Sequence, residues 1–169
     1  MSIIQPFDIG CEPSSVPAET LIQNGWQTYL LFHAVSKKLN NKGFLEDMGV
    51  AVLACKSCSM TKFGYPNDEG LPEHSLYRGG LEKMETNIVR VIDSAWLNEL
   101  EKQIKASAKR IWGGRGMQPN INLESKRNHF IITLKERTFE CISNDIKVVR
   151  YATNFDEAIK FVHKKLEND

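Results

Sequence analysis

The segment that most restricts the fold is "HFIITLKERTFECISNDIKVVRY", His129 to Tyr151. It reads as three strands, with turns near Glu136–Arg137 and Asn144–Asp145. A short first hairpin sets Leu134 opposite Phe139 and Ile132 opposite Cys141. Phe130, Ile132, Leu134, Phe139 and Cys141 then share one apolar face, and His129, Thr133 and Glu140 fall on the other. Asn154, with Glu157 three positions on, signals a helix start. Phe155, Ala158, Ile159, Val162 and Leu166 form that helix's buried stripe.

The rest of the chain repeats the pattern. "WQTYLLFHAVS", Trp26 to Ser36, is rich in aromatic and β-branched residues and reads as a strand. Met48 to Phe63 reads as a second, long strand with room for a bulge, and Thr86 to Asp93 as a third. Ser94 is placed to cap a helix whose apolar face is Leu97, Leu100, Ile104, Ala108 and Ile111, stopped by Gly113–Gly114. Residues 113 to 127 read as a polar loop. Residues 1–23, with Pro6, Pro13 and Pro17, read as an irregular leader with one helical turn near Ala18–Gln23. The expectation is one α+β domain spanning 1–169. It has a mostly antiparallel sheet of about five or six strands with two helices packed on it, in the order βββαβββα.

The bulk numbers exclude several classes. At 169 residues the chain buries enough surface to fold without a disulfide or a metal. Its 22 basic and 21 acidic side chains leave a formal charge of +1, which gives no general attraction to nucleic acid or membranes. No apolar run is long enough to span a bilayer, and the N-terminus lacks a signal-peptide pattern. Four cysteines, at 11, 55, 58 and 141, are too irregular for a disulfide framework. The reading is a cytoplasmic protein with reduced thiols, no cofactor and no metal.

Several motifs carry weak chemistry. Cys55 and Cys58 match C-x-x-C, but no helix start follows them and no second ligand pair exists, so they read as structural. Lys102, Lys105, Lys109, Arg110 and Arg115 form a basic run, better explained by the dipole of a helix C-terminus than by nucleic-acid binding. His33 and His163 read as structural. Nucleophile-elbow, P-loop, dinucleotide-binding and zinc-protease motifs are missing.

The candidate site is "FGYPNDEGLPEHSLYRGGL", Phe63 to Leu81. Its turn residues and its apolar anchors Phe63, Tyr65, Leu71, Leu76, Tyr77 and Leu81 predict an ordered Ω-like loop with its ends close together. Gly70 is read as offering a positive φ, and Leu71–Pro72 as an extended step. Tyr65 and Tyr77 are expected to be buried, Asn67 or Asp68 to accept a backbone hydrogen bond, and His74 to be exposed. The ligand-binding candidates are Tyr65, Asp68, Glu69, His74, Tyr77 and Arg78.

Two stretches carry a family resemblance. "FGYPNDEGLPEHSLY" resembles FGYPNDEALPGHPLY, a recurring stretch in a family of uncharacterised bacterial proteins. "NHFIITLKERTFECI" is similar to that family's H-F/Y-x-x-T-F-x-x-x-T-F-E-C. Together they cover about a sixth of the chain. This chain departs at Gly70, Glu73, Ser75 and Leu134. The chain also resembles orphan proteins encoded on mobile (integron) gene cassettes. The resemblance brings no activity and no site residues. It is expected that the two stretches meet in space.

The leading functional reading is a non-catalytic binding or interaction domain, for a protein or small-molecule ligand, with self-association open to it. The runner-up is a small hydrolase-type enzyme using His74 with Asp68 or Glu69. A nucleic-acid-binding module comes third.

Overall fold

The computed structural model describes residues 2–25, 27–112 and 127–168. The helix stop at Gly113–Gly114, Arg115, Trp26 and the loop 113–126 lie outside the described residues. The ten strands are β1 (Ile3–Pro6), β2 (Glu12–Pro13), β3 (Thr20–Gln23), β4 (Thr28–Leu39), β5 (Leu45–Lys56), β6 (Met60–Gly64), β7 (Ile88–Ile92), β8 (Asn128–Thr133), β9 (Thr138–Ser143) and β10 (Asp145–Ala152). The helices are α1 (Ala95–Trp112) and α2 (Phe155–Asn168). The fold is α+β, and all strand pairing among the described residues is antiparallel.

The strands divide between two sheets. One has the order β1-β7-β8-β9-β6; the other has the order β10-β5-β4-β2, with β3 also on β4. Their inner faces meet in the main core. Leu30, Phe32, Ala34, Ala51 and Leu53 come from the second sheet, and Ile88, Phe130, Ile132 and Phe139 from the first. The uninterrupted apolar run of β4 follows from this layering. Leu30 and Phe32 point into the sandwich, while Tyr29 and Leu31 point outward under α2, so both faces are covered. A fully buried side chain of this kind contributes about 1.5–3 kcal/mol.

The long second strand expected over 48–63 is two strands in different sheets. The chain turns the corner between β5 and β6 at Ser57, which has a φ of +51°. No glycine or proline marks the break. Residues 2–23 are not a leader outside the fold, and Thr20–Gln23 is strand, not helix. Glu12 accepts hydrogen bonds from Thr86 Oγ1 at 2.7 Å and from the Asn87 N–H at 3.1 Å. The buried Glu19 accepts the Glu136 N–H at 3.0 Å. These side chains fasten the segment to the first sheet. In β5, Gly49 is required because a Cβ there would lie 2.3 Å from the Ala152 carbonyl oxygen, and its φ is +79°.

The β8–β9 hairpin is shifted by two residues from the expected register, with Ile132 opposite Phe139 and Phe130 opposite Cys141. A two-residue shift keeps every side chain on its expected face. Both helix caps form as read: the Leu97 N–H donates to Ser94 Oγ at 3.1 Å and the Glu157 N–H to Asn154 Oδ1 at 2.9 Å. On α1, Ala108 is buried, but Ile111 is exposed, so the apolar stripe ends before the helix does.

Candidate functional site

The loop between β6 and β7 is a cover, not an Ω-loop. Its ends sit on β6 and β7, which are separated in the sheet by β9 and β8. Three strand spacings of about 4.8 Å put the ends about 14 Å apart. The loop therefore crosses the outer face of the first sheet. There Leu71, Leu76, Leu81 and Met84 pack on Ile4, Val89, Val91 and Ile131. Thr138 Oγ1 donates to the Pro66 carbonyl at 2.7 Å, and the Asp68 N–H to the Lys135 carbonyl at 3.3 Å. Phe63 pairs with Phe139 across β6 and β9. The two stretches that carry the resemblance thus meet.

Beneath this cover lies a polar cluster centred on Glu140. His129, on the neighbouring strand and the same face, places Nε2 2.8 Å from Glu140 Oε2. His74, brought over by the loop, places Nε2 3.5 Å from Oε1. Lys62 on β6 reaches Oε1 at 3.3 Å and lies 4.0 Å from the Trp96 ring centroid. On the far side of His129, Nδ1 is 2.8 Å from Ser94 Oγ, and the Trp96 ring meets the imidazole edge-on. Glu140 and His74 are each 8% exposed, and Ser94 and His129 are 2% exposed.

A backbone donor assigns the His74 tautomer. The Leu76 N–H donates to His74 Nδ1 at 3.2 Å, so the ring proton is on Nε2, facing Glu140. His129 Nε2 likewise faces the carboxylate, and its Nδ1 shares a hydrogen bond with the Ser94 hydroxyl. Burial opposes the Glu140 charge. The bonds from His129 and His74 and the charge of Lys62 outweigh it and hold the carboxyl well below the usual carboxylate range. A metal-bound imidazole instead donates from its second nitrogen. His74 receives a donor there, so it is not set as a ligand. Among the described residues no group of three or more His, Cys, Asp or Glu is placed to hold a metal.

The predicted site residues separate. His74 joins His129 through Glu140, while Asp68 and Glu69 face Lys135 at 2.8 and 3.9 Å. The roles expected within the loop are reversed for two residues. Tyr65 is 70% exposed and His74 is buried. The reason is partnership: His74 has a carboxylate to bond, whereas the Tyr65 ring lies against the turn at Gly70 and its hydroxyl bonds Glu73. Tyr77 is half-buried and Arg78 exposed. Asn67 Oδ1 accepts the Gly70 N–H at 2.9 Å and Asp68 Oδ1 the Glu69 N–H at 2.8 Å, as expected of turn formers. Gly70 has a φ of −85°, so it is not there for a left-handed conformation. A Cβ at Gly70 would fall 2.9 Å from Tyr65 Oη. Leu71–Glu73 is a 3-10 turn rather than an extended step.

Beside the loop, a cleft of about 200 Å³ is lined by Ser14, Ser15, Asp68, Asn87, Thr133 and Lys135, among others. No helix among the described residues is long and apolar enough to cross a membrane. No protein-family model matches the chain, and no curated protein or solved structure shows significant similarity to it.

Proposed function

We propose that the chain is a non-catalytic binding domain whose recognition element is the turn Tyr65–Glu73, with Tyr65 as its anchor. The observation that carries this reading is the contrast within one loop. His74 is buried and faces Glu140 at 3.5 Å, while Tyr65, nine residues earlier, stands in solvent on a turn fixed by Asn67 and Asp68. A rigid exposed aromatic binds at low entropic cost, because little freedom remains to be lost on contact. Asp68 and Lys135 at the adjoining cleft supply polar contacts of both signs.

The test is a small-molecule thermal-shift screen and a quantitative affinity capture, run in parallel on wild type and Tyr65→Ala. Ligands or partners that lose binding in Tyr65→Ala, with unfolding unchanged, support the reading. Full retention by the variant rejects it.

A second reading rests on the chain Ser94–His129–Glu140, a hydroxyl, an imidazole and a carboxylate in hydrogen-bonded series like that of serine hydrolases, but with Nδ1 at the hydroxyl and Nε2 at the carboxylate, the reverse of the triad. Against it, Ser94 is enclosed and already accepts the Leu97 N–H as a helix cap. Covalent labelling of Ser94 by a fluorophosphonate, abolished in His129→Ala, would favour the hydrolase over the binding domain.

A further inference from the structure

Three of the four cysteines converge where the chain passes from one sheet to the other. Cys55 ends the inward-facing row of β5, Cys141 lies in the core on β9, and Cys58 follows the corner at Ser57. Cys55 and Cys141 lie in one buried cluster, Cys58 packs against it, and the Ser59 N–H donates to the Ile142 carbonyl at 2.8 Å, which sets the residue after Cys58 against the residue after Cys141. All are free thiols, and of the three only Cys58 is half-exposed. Its sulfur lies 3.4 Å from the Met60 carbonyl oxygen. The C-x-x-C spacing therefore does not define the reactive pair. The fold sets Cys58 beside a cysteine far away in sequence.

We propose that Cys58 and Cys141 are a latent disulfide pair, closed by hydrogen peroxide or an organic hydroperoxide. Cys58, the member open to solvent, loses its proton to water and attacks the peroxide oxygen. The O–O bond breaks, Cys58 becomes a sulfenic acid, and water (or the alcohol) leaves. The Cys141 sulfur then displaces the hydroxyl group, forming the S–S bond and releasing a water with the thiol proton. Two thiols lose two electrons in total, and the peroxide gains them. The bridge joins the β5–β6 corner to β9, at the residue next to Glu140. It fixes the strand that carries the polar cluster to the corner that starts the loop's first strand.

The chemistry also sets the rate. The neighbouring Cys141 thiol and burial push the Cys58 thiol well above its ordinary value, so little thiolate exists at neutral pH. Oxidation should be slow at neutrality and rise about tenfold per pH unit in the alkaline direction.

The experiment uses the full-length, fully reduced protein, treated with hydrogen peroxide in native buffer and then denatured for thiol counting and peptide mapping. The expected result is loss of one pair of thiols from four, a mass decrease of two hydrogens, and a Cys58–Cys141 peptide. Cys58→Ser should then keep all its remaining thiols under the same treatment. The proposal is overturned if the native protein keeps all its thiols at alkaline pH while the urea-denatured chain loses them. It is also overturned if the bridge joins Cys55 or Cys11, or if Cys58→Ser loses a thiol pair at the wild-type rate.

Discussion

The outer face of the β4–β5 sheet and the outer face of the β8–β9 sheet are covered in different ways. On the first, α2 sets Ala158 and Val162 onto Tyr29, Leu31, Val50, Val52 and Ala152, an apolar contact at its centre with His33 against Phe155 and Arg150 over Phe161 beside it. On the second, the cover is a loop. Part of it is apolar, through Leu71, Leu76 and Leu81 on Val89, Val91 and Ile131, and part is the directional cluster of His74 on Glu140. Apolar burial is tolerant of angle and indifferent to pH. A carboxylate shared by two imidazoles and an ammonium demands position and charge. A helix can be held by the first alone, because its own backbone bonds are made internally. The loop also bonds itself internally, in short turns such as Leu71–Glu73 and Leu81–Lys83, but no continuous helix sets its orientation, and a buried ionic anchor gives it one defined seat.

The largest effect should come from the anchor. Glu140→Gln keeps the shape and removes the charge, leaving Lys62 without a counter-charge and one imidazole N–H facing an amide. Removing one partner of a buried ionic cluster costs about 3–5 kcal/mol, and urea unfolding should give about 4 kcal/mol. The loss should depend on pH with a defined sign. The folded pKa of Glu140 is depressed below the ordinary 4.5. Its contribution is therefore complete above that value and disappears as pH falls through the folded value. The gap between wild type and Glu140→Gln should narrow as the pH is lowered below 4.5. A gap that stays constant would mean that the carboxylate is not what holds the loop.

Under α2 no such dependence is expected. Leu31 is fully buried, and Leu31→Ala should cost about 3 kcal/mol. That cost should be the same at pH 4 as at pH 7. His74→Ala comes next. It removes the loop's side of the anchor and the acceptor of the Leu76 N–H, and should cost about 2 kcal/mol, as for leaving a buried polar group unpaired. Hydrogen exchange should then speed up in residues 66–84 and not in α2. Glu157, at the start of α2, tests charge without burial. The backbone N–H of Thr153 first, and then Arg150, hold its carboxyl down to about 2, yet the pair is exposed and screened by solvent. Glu157→Gln should move the urea midpoint far less than Glu140→Gln.

The sequence carried one of these covers more legibly than the other. The α2 contact is periodic: Phe155, Ala158, Ile159, Val162 and Leu166 form one stripe, and Asn154 with Glu157 marks its start. The C-terminal hairpin is equally readable, and its alternation already set His129 and Glu140 on one face. What alternation cannot supply is the partner from a distant segment. Glu140 looked like a polar residue on an outer face until the crossing loop brought His74 over it. Ser94 was legible as a cap, but its second bond to His129 depends on how α1 sits on the sheet. The division between β5 and β6 was hidden because the corner uses Ser57 rather than a glycine or proline. The same absence of tertiary context reversed Tyr65 and His74. Size and hydrophobicity favoured burying the tyrosine, whereas the available hydrogen-bond partner buried the histidine.

The smallest effect on stability should come from Tyr65, and it separates recognition from architecture within one loop. The ring is 70% exposed. Its removal takes away little buried area, and exposed substitutions of this kind usually change stability by no more than about 0.5 kcal/mol. Tyr65→Ala also loses the hydroxyl contact with Glu73, an exposed bond that water replaces. The turn itself survives, because Asn67 and Asp68 hold it by their own side chains and Thr138 holds Pro66. The unfolding curve of Tyr65→Ala should therefore overlay that of wild type, and hydrogen exchange in residues 66–84 should be unchanged. A loss near 3 kcal/mol, the scale of a buried aromatic, would show that the ring is part of the cover. The division between a buried anchor at His74 and an exposed contact at Tyr65 would then fail. If stability is unchanged while ligand or partner binding is lost, the tyrosine acts in recognition alone, and the Glu140 cluster serves to hold it in place.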